Sequence, residues 1–347
     1  MTVLQPSDDA VAVARSIVRL NTAYTESKVL QSAVELGVFP LLDGEWLSAA
    51  EIIGRLSLHP RLAGDFLDAL HGLGLLDRSD GQYTTSAVAA EYLIAGKPYY
   101  VGGTIAKHAD HHFLMWGRLT EALRDGEAKS QRGLSGKDAF HRLYEQPERV
   151  RALMNHMDAF NGFIAQELAT VLDWSGRTSF VDVAGARGNL AARLVQAHPH
   201  LTGTVFDLPP VEPFFDELIE GYGLAEKIRF HGGDVFVEPI PKADVAIIGH
   251  TLHDWPVEDR QRLIERIAQA VRPGGALLVY DPMIADERSD TAELTQSLMC
   301  ALMRDGASEY TVGEARAWGE KAGFRFVRSV PIASIGNDVV VVLEKTA

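Results

Sequence analysis

Apolar residues in the first hundred positions recur every three or four residues, in one series of Val13, Ile17, Leu20 and Tyr24 and another of Leu62, Phe66, Leu70 and Leu73. That spacing gathers side chains on one face of a helix, and it predicts a mainly helical domain over residues 1–100. Inside it, "HPRLAGDFLDALHGLGLLDRSDGQYTTSAVAAEYL" reads as a helix, a strand pair turning at "RSDGQY", and a helix, which is the order of a winged-helix unit. Residues 101–175 continue as a helical region. In "HHFLMWGRLTEALRDG" the side chains of Phe113, Trp116, Leu119 and Leu123 share a predicted face, and Gly126 is a stop signal.

From residue 176 to residue 347 the rhythm changes. Strand-like runs such as "SFVDVAG", "LTGTVFDLP", "ADVAIIGHTL" and "ALLVYDPM" alternate with helical stretches such as "LAARLVQAHP" and "EDRQRLIERIAQAVRPGG". Alternation of this kind predicts an α/β domain with a parallel sheet covered by helices on both faces. The end differs: "FRFVRSVPI" and "DVVVVLEK" flank the turn signal "GND", so the last strand is expected to return antiparallel.

Composition narrows the function. A chain of 347 residues, 46% of them hydrophobic, has the length of about two domains and enough apolar surface for a large core. Its 47 acidic and 33 basic residues leave a formal charge of −14, which repels phosphate backbones and anionic membranes. Residues 45–100 carry four basic and seven acidic side chains, the wrong balance for a winged helix that binds DNA. A packing or dimerising role fits that unit better. Cys300 is the only cysteine, so no intrachain disulfide can form. The opening "MTVLQPSDDAVAVARS" has acids where a signal peptide carries a basic leader, and the expected location is the cytoplasm, without an anchor.

Candidate chemistry begins at "FVDVAGARGNLAARL", a strand ending at Asp182, a turn with Gly185 and Gly188, and a helix. Glycines let a nucleotide-like ligand approach the N–H groups at the helix start. The next strand ends in Asp207, 25 residues after Asp182, where an acid can accept hydrogen bonds from ribose hydroxyls. The following "GGDVF" places Asp234 and Val235 at the same sheet edge, suited to an adenine. A nicotinamide dinucleotide and S-adenosylmethionine both suit this arrangement. "AGARGNL" lacks the G-x-G-x-x-G of the first, and the acids and the antiparallel last strand favour the second.

Taken together these stretches resemble the S-adenosylmethionine-dependent O-methyltransferases of the plant caffeate and acetylserotonin type, with their bacterial natural-product relatives. The resemblance spans nearly the whole chain and is carried by "DVAGARG", "FDLPPV", "GGDVF", "HTLHDWPVED", "RPGGALLVYDPM" and "RDGASEYTVGEARAWGEKAGF". It implies a Rossmann-like class I methyltransferase sheet of seven strands, the last antiparallel, behind an N-terminal winged-helix dimerisation domain. The implied cofactor is S-adenosyl-L-methionine, leaving as S-adenosyl-L-homocysteine. Asp182, Gly185, Gly188, Asp207, Leu208, Gly233, Asp234, Val235, Gly249 and His250 match the cofactor-bordering positions. Ala184 and Ala186 stand where the family has glycines, and the two added methyl groups are expected to shift cofactor contacts.

The residues alone leave His253 open as a catalytic base, a metal ligand with His250 and Asp254, or a packed strand cap. The resemblance assigns it as general base, with Asp281 and Glu309 as its companions and no metal. A phenol of pKa about 10 is a poor nucleophile until a base takes its proton, and an imidazole near 6.5 is able to do so. An aromatic acceptor is expected against Trp116, Met154, Met157, Phe160, Asn161, Asp254, Leu298, Met299, Leu302 and Met303. His108, His111 and His112 are either pocket lining or surface. Transfer to carbon or nitrogen, including metal-assisted methylation of an α-keto acid, stays as an alternative. A nicotinamide oxidoreductase and a non-catalytic regulator are disfavoured by the glycine pattern and by the acidic helical domain respectively.

Overall fold

The computed structural model describes residues 8–130 and 139–346, so the first seven residues of the opening stretch lie outside it. Two compact units divide the chain, residues 1–109 and residues 110–347. The second takes in both a helical stretch and the large sheet.

In the first unit, helices Asp8–Thr22, Tyr24–Leu36, Ala49–Arg55, Pro60–Gly72 and Ala87–Leu93 surround a small antiparallel sheet of β1 (Leu47–Ser48), β3 (Gln82–Thr85) and β2 (Leu76–Ser79) in that order. Asp80 and Gly81 both take positive φ, 50° and 77°, which is the two-residue turn whose twist matches paired strands. The strand pair expected at "RSDGQY" therefore forms as a hairpin, with Ser79 opposite Gln82. Asp68 fastens this wing to the Pro60–Gly72 helix by accepting the Tyr83 hydroxyl at 2.8 Å and pairing with Arg78. The buried face of that helix is Ala63, Leu67 and Leu70, while Leu62 stands 58% exposed, so the apolar spacing located the helix more accurately than its inner face. Val13, Ile17, Val18 and Leu20 line the first helix and are all exposed.

The second unit corrects one expected helix face. The stretch after His112 breaks at Gly117 and Arg118 into helices Phe113–Trp116 and Leu119–Asp125, and Leu123 ends 71% exposed. Met115 is the side chain that the first of them buries. Gly126 closes the second with φ 73°, as its stop signal predicts.

The large sheet contains β4 (Ser179–Val183), β5 (Thr202–Asp207), β6 (Ile228–Gly232), β7 (Ala243–Gly249), β8 (Val271–Asp281), β9 (Phe324–Pro331) and β10 (Val339–Lys345). Their spatial order is β6-β5-β4-β7-β8-β10-β9. β4 to β8 run parallel, and β10 lies antiparallel between β8 and β9, as expected for the final strand. Successive side chains alternate between faces. Val245 and Ile247 enter the core under helices Pro147–Val171 and Asn189–Ala197, whereas Ala246 and Ile248 enter the core under helix Val257–Ala270. Strand order reverses between β4 and β7, and in open sheets ligands bind beyond the strand ends at such a point. No helix among the described residues is long and apolar enough to cross a membrane.

Gly249, at the end of β7, permits a close approach: a Cβ there would lie 2.1 Å from the buried Tyr280 ring. Gly249→Ala is expected to cost about 1–3 kcal/mol through overpacking. Urea unfolding checks this, and an unchanged midpoint would mean that the Tyr280 ring has room to move.

Candidate functional site

The first half of the site lies at the ends of β4, β5 and β6. Asp182, the penultimate residue of β4, is buried, and its Oδ2 has no hydrogen-bond partner. A Cβ on Gly185 would sit 2.7 Å from that oxygen, so the absence of a side chain there keeps the carboxyl open from above. Gly188 takes φ 83° and starts helix Asn189–Ala197. Between them Ala184 and Ala186 also adopt positive φ, 56° and 51°, a conformation that suits glycine better than alanine. The turn is worth that strain because it aims the Ala186 N–H at Asp207 Oδ2, 2.8 Å away. Arg187 anchors the same turn to helix Pro147–Val171 through Asp158 and Asn155.

Asp207 also accepts the Leu208 N–H at 2.7 Å, and Asp234 accepts the Phe236 N–H at 2.8 Å. None of the ion pairs among the described residues includes Asp182 or Asp207. Burial pushes Asp182 up to about 8, with help from the neighbouring Asp207 charge. Burial likewise pushes Asp207 up to about 7 against the two backbone N–H groups that favour its anion.

The second half lies at the ends of β7 and β8. His253 sits in a short 3-10 turn, Leu252–Asp254, and is buried. Its Nδ1 lies 3.0 Å from Asp281 Oδ1 and 2.9 Å from Glu309 Oε1. Both are ion-pair distances, and neither contact has the alignment of a full hydrogen bond. Asp281 in turn accepts the Tyr310 hydroxyl at 2.5 Å. Arg260 binds the carbonyls of Trp255 and Ser308, and Ser308 N–H donates to the His253 carbonyl at 3.0 Å, so the histidine turn and the Glu309 loop form one piece. Burial alone would lower the His253 pKa, but the Glu309 and Asp281 carboxylates outweigh it and hold it well above the ordinary value.

A cavity of about 290 Å³ opens at this edge. Asp207, Leu208, Asp234, Val235, His250, Met154, Met157 and Asp254 line it, joined by Phe140, Tyr144 and Trp255, which the sequence did not single out. Gly233 borders a second hollow with Leu208 and Asp234. Trp116, Phe160, Asn161, Leu298, Met299, Leu302 and Met303 are not among the residues of the first cavity. Leu302 is buried in the helix Thr291–Met303 and Leu298 is exposed on it, while Phe160 packs edge-on against the His250 ring at 5.0 Å. Gly249 serves the packing of Tyr280.

The sequence also gave no sign of Cys300, whose thiol lies 3.6 Å from Glu309 Oε1. His253, Cys300 and Glu309 bring donor atoms within 4.8 Å of one another, whereas His250, His253 and Asp254 form no such group. His250 is turned to Asp338, and Asp254 faces Arg304 at 3.6 Å. His112 is buried and its ring approaches those of His111 and His156.

Comparison with known proteins agrees with this geometry. An O-methyltransferase domain family matches residues 116–325, and an O-methyltransferase dimerisation domain matches residues 18–95. The chain is similar to the tetracenomycin polyketide synthesis 8-O-methyl transferase TcmO of Streptomyces glaucescens, 48% identical over 91% of this chain and 93% of that one. It is also similar to the N,N-dimethyltransferase OxyT of Streptomyces rimosus, 45% identical over 96% and 97%. Among solved structures, the mitomycin 7-O-methyltransferase MmcR superposes with a TM-score of 0.81 at 30% identity, covering 97% of this chain and 98% of that one.

A hydroxyl donates more strongly to a carboxylate than to a neutral acid in the same place. Binding of S-adenosylhomocysteine is therefore expected to tighten as pH rises through about 7 and then about 8, as Asp207 and Asp182 ionise. Calorimetric titration across that interval checks it, and Asp207→Asn is expected to flatten the lower step. An affinity independent of pH in the wild type would show that neither carboxyl changes its charge on binding.

Proposed function

The chain belongs to the S-adenosylmethionine-dependent O-methyltransferases of small molecules, and from that premise we propose that it methylates a phenolic oxygen of an aromatic metabolite with His253 as general base. S-adenosylmethionine supplies an electrophilic methyl group on a sulfonium and leaves as S-adenosylhomocysteine. The residues present suit it. Asp207 accepts from the ribose, Asp234 and Val235 meet the adenine, and the unpartnered Asp182 Oδ2 beside Gly185 faces the amino-acid end. The cationic ligand also meets two buried carboxyls that have no cation of their own.

The observation that carries the proposal is the pair of carboxylates on one nitrogen of His253. With Nδ1 held by Asp281 and Glu309, Nε2 is left to take the acceptor proton, and the imidazolium that forms sits against two acids. Raised basicity brings the histidine closer to a phenol, which makes proton transfer less uphill. Asp281 and Glu309 orient and stabilise. Met154, Met157, Phe140 and Trp255 give the acceptor space an apolar wall suited to a flat ring.

The printed function of TcmO, 8-O-methylation in tetracenomycin polyketide synthesis, supports a polyketide-type acceptor from specialised metabolism. OxyT, an N,N-dimethyltransferase, favours a second reading in which the acceptor is an amine. An amine attacks through its own lone pair, and the base is needed less.

His253→Ala separates the two. On the phenolic reading it is expected to lower kcat by about 10²–10⁴, measured as methyl transfer from labelled S-adenosylmethionine to a panel of phenols and amines. Because the carboxylates raise the histidine pKa, the acidic limb of the wild-type pH profile is expected above the ordinary imidazole value. It should move down in Glu309→Gln. Amine methylation that survives His253→Ala with its rate intact would replace the phenolic reading.

The chain is further read as a homodimer joined through the first unit, where Ile17, 63% exposed, and Leu20, 78% exposed, sit on the helix Asp8–Thr22. Ile17→Glu with Leu20→Glu is expected to shift the sedimentation coefficient from dimer to monomer; an unshifted dimer would place the interface elsewhere.

A further inference from the structure

A second histidine–carboxylate pair stands beside the first. His250 follows β7 with φ 48°, a conformation that side chains seldom adopt. Its imidazole reaches over the end of β8 to the start of β10, where Nε2 lies 2.6 Å from Asp338 Oδ1. Asp338 is buried, and its other oxygen accepts the Ser334 hydroxyl. The Ser334 oxygen itself accepts the N–H groups of Gly336 at 3.2 Å and Asp338 at 3.0 Å, so the tip of the β9–β10 hairpin is built around this carboxylate. Phe160 and Tyr280 hold the His250 ring at 5.0 and 5.5 Å.

A histidine fixed this firmly for packing alone would turn both nitrogens to protein groups. Nδ1 of His250 has no protein partner among the described residues, and the residue lines the cavity. Burial alone would lower the pKa of the ring, and Asp338 outweighs it and raises it. With Nε2 held by Asp338, Nδ1 is the nitrogen left to exchange a hydrogen bond with an oxygen in the cavity.

The geometry points to His250 as a specificity-determining residue, positioned by Asp338: its Nδ1 holds a second oxygen of the acceptor, on the ring carbon next to the one whose oxygen faces His253. This rests on the phenolic reading above. The two imidazoles are 6.0 Å apart, centre to centre, and each nitrogen reaches an oxygen at about 2.8 Å. Neighbouring oxygens on one aromatic ring therefore span them.

The test titrates the S-adenosylhomocysteine complex with 2,3-dihydroxynaphthalene and with 2-naphthol, in wild type, His250→Asn and Asp338→Asn. Asparagine tolerates the left-handed backbone at position 250, and at position 338 it removes the charge while keeping the shape. The wild type is expected to bind the dihydroxy probe about tenfold more tightly, the scale of one charge-assisted hydrogen bond. Both variants should bring that ratio to about one. Equal binding of the two probes by the wild type, binding of neither included, overturns the proposal. So does a variant that keeps the ratio and loses affinity for S-adenosylhomocysteine, which would make His250 a cofactor contact. The ratio needs no methyl transfer, so its failure is distinct from failure of the His253 experiment.

Discussion

Buried negative charge is the constraint on which this site depends. Asp182, Asp207, Asp281, Glu309 and Asp338 are all buried near the ends of adjoining strands. A carboxylate taken out of water costs several kcal/mol unless something answers its charge. His253 answers Asp281 and Glu309, and His250 answers Asp338. Asp182 and Asp207 have no such partner among the described ion pairs, and the free protein meets the cost by holding their protons to about 8 and about 7. The sheet is thereby split into a half whose buried carboxyls have histidine partners and a half whose carboxyls have none. S-adenosylmethionine, with a sulfonium and an ammonium, suits the second half, where the reading proposed above seats it.

Backbone strain falls at the boundary of the two halves. Ala184 and Ala186 on one side and His250 on the other take positive φ without being glycine. Each such residue costs on the order of 1–3 kcal/mol and persists where surrounding structure fixes it. The surroundings here are specific: Asp207 accepts the Ala186 N–H, and Asp338 holds the His250 ring. At both places an acid that serves the site is also the acid that makes the strained turn tolerable. In the first turn alanines hold a conformation that glycine adopts more readily, and the hydrogen bond from the Ala186 N–H to Asp207 helps to fix it.

Much of the architecture was legible because it follows from local rules. "RSDGQY" states its turn through Asp80 and Gly81, and the alternating runs after residue 176 state a parallel sheet through their periodicity. The positions of Asp182, Asp207 and Asp234 were legible as well: each was expected at a strand end, and they stand at or just beyond the ends of β4, β5 and β6. What escaped was whatever depends on distance along the chain. Asp338 meets His250 across 88 positions, and Cys300 meets Glu309 through a loop that no periodicity describes. Gly249 was placed at the cofactor border by resemblance, and its missing side chain makes room for the Tyr280 ring. In the helix Phe113–Trp116 the inward side chain is Met115, because the break at Gly117 resets the register that four evenly spaced apolar residues had implied.

Proton balance links the two halves. Methyl transfer to a phenol removes the positive charge of the sulfonium and, on the reading advanced above, creates one on His253. Positive charge thus passes from the half of the sheet without histidine partners to the half with them, where two carboxylates on a single nitrogen await it. Tyr310, by donating to the far oxygen of Asp281, holds that acid turned toward the ring. Transfer to an amine would leave the new charge on the product nitrogen, and the second carboxylate would then have nothing to answer. Two acids around one histidine are costly to bury, and that cost is intelligible where the histidine itself must become charged.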